Sequence, residues 1–216
     1  MLFSSQEISI METGDQNDDM EDDFDDEDSK VKEELKALND RINFDEEDYD
    51  AHDSKIRLLK SIGELDDLRI ARQKFADIFP LTDEMWLEWI KDEKNLVETE
   101  DDKKEIYKLF DRAVKDYVSV PLWLEYCQFS IGGINTQEGI EKSRNIFERA
   151  ISAVGIHVSR GALIWEAFRE FENALLLLQS NSEGKAAQKE RIDKLFCRQL
   201  SVPHLGKNII IKEGYD

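Results

Sequence analysis

The chain has 216 residues and a formal net charge of −20, and this length allows one domain, or two small ones, with a sizeable core. Its two cysteines, Cys127 and Cys197, belong to no Cys-x-x-Cys pair, which argues against a disulfide framework and against a cysteine zinc site. No apolar run approaches the roughly 18–20 residues of a membrane span, and the N-terminus lacks the basic start of a signal peptide. The sequence therefore predicts a soluble intracellular protein that binds no membrane.

The acidic charge is concentrated at the N-terminus. Residues 1–50 contain 20 Asp and Glu against 4 Lys and Arg, a net charge of −16, whereas the other 166 residues contain 29 and 25, a net charge of −4. Residues 1–30 are predicted to be a disordered acidic tail, because a self-repelling segment cannot bury enough surface to offset the entropy of ordering. Two interpretations stay open: an arm that binds a basic partner such as a histone, and a tail that only confers solubility.

Helical periodicity begins after this tail. A leading helix is predicted over residues 31–44, and helix pairs are predicted over residues 45–203. In the first pair, Gly63 closes the first helix. Pro80 ends the second helix, because the residue before a proline is pushed out of the helical region. Residues 204–216 are predicted to be a divergent C-terminal tail. The outer face of the last pair is predicted to be adhesive unless this tail, with Ile209–Ile211, folds back as a cap.

Two aromatic patterns recur through the helix pairs. The first helix of a pair carries Trp with a second aromatic three residues later, and the second helix carries Phe followed by Ala or another apolar residue. Counted from Trp86, the Trp that begin these patterns are 37 and 42 residues apart, and counted from Phe75, the repeated Phe are 35, 37 and 49 residues apart. A period in the high thirties made of two helices predicts an all-α fold, a right-handed α-solenoid of about four tetratricopeptide-like helix pairs. The repeat positions are Trp86, Trp89, Phe110, Trp123, Tyr126, Phe147, Trp165, Phe168 and Phe196.

These aromatic positions are predicted to form the core. They lie on the face that each helix must bury, and each Trp can bury roughly 150–250 Å². The alternative is a platform on which the bases of a nucleic acid stack, but such a surface needs a positive stripe and the body of this chain is slightly negative.

Charged residues also recur at fixed repeat positions. Glu93 and Glu172 lie seven residues after a repeated Trp, and Arg112, Arg149 and Arg198 lie two residues after a repeated Phe. We hypothesise that these acids and arginines pair between neighbouring helices and fix the register of stacking. The alternative is solvated surface charge worth under about 1 kcal/mol per pair.

The sequence offers no basis for catalysis. Its three histidines are scattered at positions 52, 157 and 204, and there is no phosphate-binding glycine loop, nucleophile elbow or His-Glu-x-x-His motif. Both cysteines are interpreted as packing or surface thiols. We therefore expect no enzymatic activity, no cofactor and no bound metal.

The paired motifs resemble the half-a-tetratricopeptide (HAT) repeats of RNA-processing proteins. Ordinary tetratricopeptide repeats place Gly four residues after Trp, whereas Ile90, Cys127 and Arg169 occupy those positions here. Over about residues 45–203, and most clearly between Arg69 and Trp89, the chain resembles the N-terminal repeats of the family of U4/U6 small nuclear ribonucleoprotein recycling factors.

This resemblance implies a nuclear, protein-binding scaffold in RNA processing and pre-mRNA splicing. It implies protein partners that include spliceosomal ribonucleoprotein factors, ubiquitin-specific proteases and histones. The family's dimerisation repeats and RNA-recognition motifs lie beyond the matching region, so we expect a truncated or alternatively spliced product that does not dimerise and contacts RNA only indirectly, if at all.

Two other functions stay open. One is an acidic histone-binding, chaperone-type module in which the tail is the working part. The other is a HAT scaffold of mRNA 3′-end processing, which belongs to the same repeat class.

Overall fold

The described residues of the computed structural model are 21–203, with side chains described from residue 28 onward. Most of the predicted acidic tail (residues 1–20) and the predicted divergent tail (204–216) lie outside them. Within this range the chain is all-α, as predicted, and no helix is long and apolar enough to cross a membrane. The described residues form nine helices: α1 (Glu21–Phe44), α2 (Tyr49–Ile62), α3 (Leu65–Ile78), α4 (Asp83–Lys94), α5 (Glu100–Asp116), α6 (Val120–Ile131), α7 (Gln137–Val154), α8 (Gly161–Leu178) and α9 (Ser182–Leu200).

Two compact units divide the chain after Phe79. In the first unit, α1 packs on α2 and α2 packs on α3. Leu59 and Leu68 form the centre of a small apolar core, and Leu35 of α1 packs against it. Gly63 closes α2 in the left-handed conformation, with a φ of 78°, as its position in the sequence predicts.

The leading helix begins earlier than predicted. It starts at Glu21, so residues 21–30, which were expected to be disordered, are helical. The physical reason is that extending a helix costs far less than nucleating one, and α1 is already nucleated over residues 31–44. Acidic residues at the N-terminal end of a helix are also favoured by its dipole.

The second unit contains three helix pairs, α4–α5, α6–α7 and α8–α9. We call α4, α6 and α8 the first helices and α5, α7 and α9 the second helices. Polar caps define where these helices begin: Thr99 and Asp102 form a capping box at α5, and the hydroxyl of Thr136 accepts the backbone N–H of Gly139 at α7. The first helices pack on one another, α4 against α6 and α6 against α8, and each second helix packs on the first helix of its own pair.

Aromatic stacking joins one pair to the next. The ring of Phe110 stacks on that of Tyr126 at a centroid distance of 4.7 Å, and Phe147 stacks on Phe168 at 4.8 Å. In both cases the second helix of one pair contacts the first helix of the following pair. Eight of the nine predicted repeat aromatics are buried, and the ninth, Phe196, is only half-buried because no further helix pair follows it among the described residues.

Replacing Phe147 with Ala should lower the free energy of unfolding by about 3–5 kcal/mol, because its fully buried ring joins two helix pairs and its removal leaves a cavity. Leu177→Ala is the matched control in the same unit: this side chain is 85% exposed, and its loss should change stability by less than about 0.5 kcal/mol. Urea denaturation followed by far-ultraviolet circular dichroism measures both values. Equal losses would show that Phe147 is not a core residue.

Candidate functional site

The repeated arginines of the second helices lie over the repeated tryptophans. Arg149 lies 5.5 Å from the ring centroid of Trp123, and Arg198 lies 5.5 Å from that of Trp165. Arg112 and Trp86 have the same arrangement at the same distance. A guanidinium over an indole ring is attracted by the quadrupole of the ring, so each arginine is held against the first helix of its own pair.

Two of these arginines, Arg149 and Arg198, form ion pairs with the preceding second helix. Arg149 Nη2 donates to Asp111 Oδ1 at 2.8 Å, and the two Nη atoms of Arg198 donate to the two carboxylate oxygens of Glu148 at 2.8 Å. Asp111 and Glu148 each follow a repeated Phe by one residue. We call these two pairs, Asp111–Arg149 and Glu148–Arg198, the Arg–acid ladder; it connects α5 to α7 and α7 to α9.

The ladder corrects the predicted pairing. Arg149 and Arg198 connect neighbouring repeats, and their acidic partners are Asp111 and Glu148 rather than Glu93 and Glu172. For Arg112, the pairing with an acid stays a prediction. The sequence contained a signal for this, since an acid precedes the arginine directly in the copies Phe-Asp-Arg at residue 110 and Phe-Glu-Arg at residue 147. In the last copy Cys197 occupies the position of the acid.

Glu93 and Glu172 differ from each other although they share a repeat position. Glu93 accepts a hydrogen bond from Trp89 Nε1 of its own helix at 3.3 Å. Glu172 is fully buried, and its carboxylate accepts bonds from Arg144 Nε and Nη2 at 2.8 and 2.9 Å and from Gln188 Nε2 at 2.6 Å. These hydrogen bonds to Glu172 raise the pKa of Arg144 above its usual range, so the guanidinium stays charged. Through Arg144 of α7 and Gln188 of α9, Glu172 connects α8 to both of these helices.

Asp111 joins three helices at one carboxylate. Besides accepting from Arg149, its Oδ1 atom accepts the phenol hydrogen of Tyr126 at 2.9 Å. Burial of Tyr126, and then this hydrogen bond, raise the pKa of the phenol above its ordinary value. The phenol is therefore a fixed donor at physiological pH and serves to position Asp111.

A charged groove lies beside the ladder, across α7, α8 and α9. Its volume is about 490 Å³. Phe168 and Leu195 contribute apolar surface, and the charged residues that line it are Glu141, Arg144, Glu148, Glu172, Arg191, Lys194 and Arg198. Such a mixed lining can bind polar and charged side chains of a protein. The described residues contain no group of three or more His, Cys, Asp or Glu that could hold a metal ion.

The two cysteines have opposite environments. Cys127 is buried in α6, and burial raises the pKa of its thiol to about 12. Cys197 is exposed on α9. A buried thiol with a raised pKa stays protonated and is a poor nucleophile, which fits a packing role for Cys127.

Comparison with known proteins gives a family match over most of the chain. The family model described as the PRP39 N-terminal HAT repeat matches residues 36–207. The Pongo abelii protein named "Spliceosome associated factor 3, U4/U6 recycling protein" is 46% identical over 170 residues, and the Homo sapiens protein of that name is 45% identical. Each match covers 79% of this chain and 17% of the relative, so the chain spans about a sixth of their length. A Gibberella zeae protein named "mRNA 3'-end-processing protein RNA14" is 25% identical over 178 residues, which is 78% of this chain and 17% of that protein.

Replacing Arg144 with Met should cost about 3–5 kcal/mol of stability, because it leaves the buried carboxylate of Glu172 without its charge partner. Arg198→Met is the matched control: its pair with Glu148 is 48% and 46% exposed, and solvent screening should limit the loss to about 1 kcal/mol. Urea denaturation checks both. The double variant Arg144→Met/Glu172→Met should recover most of the loss, and similar costs for the two single variants would contradict this distinction.

Cys197 should react with iodoacetamide in the native protein, while Cys127 should react only after unfolding, because it is both buried and protonated. At about pH 8, where an ordinary thiol is partly ionised, mass spectrometry should find one adduct in the native protein and two in urea. The variant Cys197→Ser should give no adduct in the native state. Rapid alkylation of that variant would show that Cys127 is accessible.

Proposed function

The chain belongs to the half-a-tetratricopeptide (HAT) repeat family, and from this premise we propose that it is a protein-binding scaffold that acts in the recycling of the U4/U6 small nuclear ribonucleoprotein in pre-mRNA splicing. The observation that carries the proposal is the 45–46% identity over 170 residues to the vertebrate proteins named as U4/U6 recycling proteins. Their names imply a nuclear location, which we extend to this chain. Because the chain spans only 17% of the length of these relatives, we also propose, rather than infer from them directly, that it takes part in their activity.

The chemistry of the second helices supports a protein partner. Along the Arg–acid ladder and the charged groove beside it, guanidinium and carboxylate groups alternate, and such a surface complements the mixed charges of another protein. Trp123 and Trp165, which could stack bases if they were exposed, are buried beneath the arginines. We therefore propose that the chain contacts RNA through bound proteins and that its role is not enzymatic.

We further propose spliceosomal ribonucleoprotein factors and a ubiquitin-specific protease as partners, with histones as a third class. The first two rest on the family to which the chain belongs. Histone binding rests on the acidic residues between 15 and 28. In that rival function the acidic segment would do the work, and the helix pairs would only present it.

A role in mRNA 3′-end processing is the second candidate. Its support is the match to the fungal protein, which covers a similar share of the chain at 25% identity. The splicing proposal has the stronger support, because the vertebrate relatives are 45–46% identical over nearly the same length.

Affinity purification from nuclear extract, with and without nuclease, tests these functions against one another. We expect the chain to recover splicing proteins or a deubiquitinase after nuclease treatment, because protein contacts do not depend on RNA. The matched variant replaces every Asp and Glu between residues 15 and 28 with Asn and Gln, and it should recover the same proteins.

Other outcomes would overturn the proposal. Loss of all splicing proteins on nuclease treatment would mean that RNA mediates the contact. Recovery of histones alone, lost in the neutralised variant, would favour the acidic segment as the functional element. Recovery of cleavage and polyadenylation proteins without ribonucleoprotein factors would favour 3′-end processing.

A further inference from the structure

The outward side of the first helices presents a surface unlike that of the second helices. On each first helix, one row of residues lies outside the core, and we call this row a stripe. Each member lies three or four positions from another member, so they share one face of the helix. These stripes lie side by side, since α4 packs on α6 and α6 packs on α8. Their members are Glu84, Leu87, Glu88 and Lys91 on α4, Pro121, Leu124, Glu125 and Gln128 on α6, and Leu163, Glu166, Ala167 and Glu170 on α8.

An apolar groove of about 460 Å³ lies among these stripes. Leu87, Leu124 and Ala167, one from each first helix, are half-buried and line it, and the buried residues Phe147 and Cys127 also contribute to its lining. The groove therefore exposes aliphatic surface from three successive helix pairs. Its size suits one or two aliphatic side chains of a partner.

Glu125 is the acidic residue that lines this groove, and further acidic residues lie on the stripes that contribute to it. Glu84, Glu88, Glu125, Glu166 and Glu170 belong to the same three stripes. The basic residues on this side are Lys91 and Lys94, and Lys94 Nζ pairs with Glu125 Oε2 at 3.0 Å. The outward side of α8 carries Glu166 and Glu170, one helical turn apart, and no basic residue within its stripe. The stripes therefore carry an excess of negative charge, whereas the Arg–acid ladder balances its charges internally.

We propose that this groove docks a lysine- or arginine-rich amphipathic segment of a partner protein. One or two aliphatic side chains of the segment enter the groove between Leu124 and Ala167, and its basic side chains pair with Glu125, Glu166 and Glu170. Charge complementarity selects the segment, and the apolar contact fixes its position. The inference deepens the proposed scaffold function and rests on it in one respect only, that the occupant belongs to a protein.

A labelled synthetic peptide tests the site on the full chain. The probe has about 15 residues, with leucine at helical spacing and lysine at the remaining positions; the matched probe carries glutamate in place of lysine. Fluorescence anisotropy should show roughly micromolar binding of the lysine probe, weakening as salt increases, and at least tenfold weaker binding of the glutamate probe. Equal binding of both probes would overturn the proposal.

Variants of the chain locate the binding. Glu166→Lys/Glu170→Lys should weaken binding of the lysine probe about tenfold or more. Glu183→Lys/Asp193→Lys changes the net charge equally at two exposed positions of α9 and should stay within about twofold of the unsubstituted chain. Leu124→Ser should weaken binding about threefold to tenfold by removing apolar contact. Circular dichroism melting checks that each variant folds.

Two results would refute the site. Equal weakening by the α8 and α9 variants would mean that the probe responds only to net charge. Binding of the probe only after deletion of residues 204–216 would mean that the groove holds the chain's own segment Lys207–Lys212, whose three isoleucines lie between basic residues.

The outcome is separable from that of the splicing proposal. If the lysine probe fails to bind while nuclear extract still yields splicing proteins, the groove assignment is wrong and the scaffold stands. If the probe binds with the expected pattern while no splicing protein is recovered, the groove stands and the splicing role fails.

Discussion

The rest of the second unit depends on the stacking of an aromatic ring of one helix pair against the next pair. An isolated pair cannot bury both of its sides, so Phe110 and Phe147 complete their burial only against Tyr126 and Phe168 of the following pair. Face-to-face rings at under 5 Å also fix the distance between pairs. Arg112 and Arg149, two residues after these phenylalanines, are then placed over Trp86 and Trp123, and Arg149 also meets Asp111 of the neighbouring second helix. The Arg–acid ladder is thus a geometric consequence of the aromatic stack.

The charged contacts contribute unequally to stability. The pairs of the ladder are half exposed, so solvent screens them and each contributes little to stability. The Arg144–Glu172 pair is different, because the carboxylate is fully buried and has its hydrogen bonds satisfied by Arg144 and Gln188. A mismatched register would leave that charge without a partner, at a cost far larger than the loss of a surface pair. One buried pair therefore enforces the arrangement of α7, α8 and α9 more strongly than the ladder does.

The fold was predictable because its core consists of a few large residues at a regular period. The spacing of Trp86, Trp123 and Trp165, with Gly63 and Pro80 marking helix ends, was enough to place the helix pairs. The partners of the charged residues were not predictable, because a period shows which residues are equivalent but not which neighbours they meet. The residue three before the repeated Phe is Tyr107 in one copy and Arg144 in the next, and only the second offers a buried carboxylate a positive charge. The groove of the first helices was missed for a related reason: in sequence, half-exposed leucines cannot be distinguished from core leucines.

The body of the chain is nearly neutral, but its two surfaces differ in charge: the second helices have paired charges, and the first helices have an excess of negative charge. On the second helices, the carboxylates and guanidinium groups are already paired, so a partner must compete with these ion pairs. This surface therefore distinguishes one partner from another by shape and by the exact placement of charges. On the first helices, carboxylates outnumber basic groups around an apolar groove. A basic partner there reduces the repulsion between the carboxylates and also gains apolar contact. This surface therefore selects basic partners in general rather than one particular sequence. The acidic N-terminal residues have the same sign as the first-helix face, and both therefore attract the same class of basic protein. Histone binding alone would consequently not identify the N-terminal segment as its source, because the folded helix pairs contain a second acidic surface that also offers apolar contact.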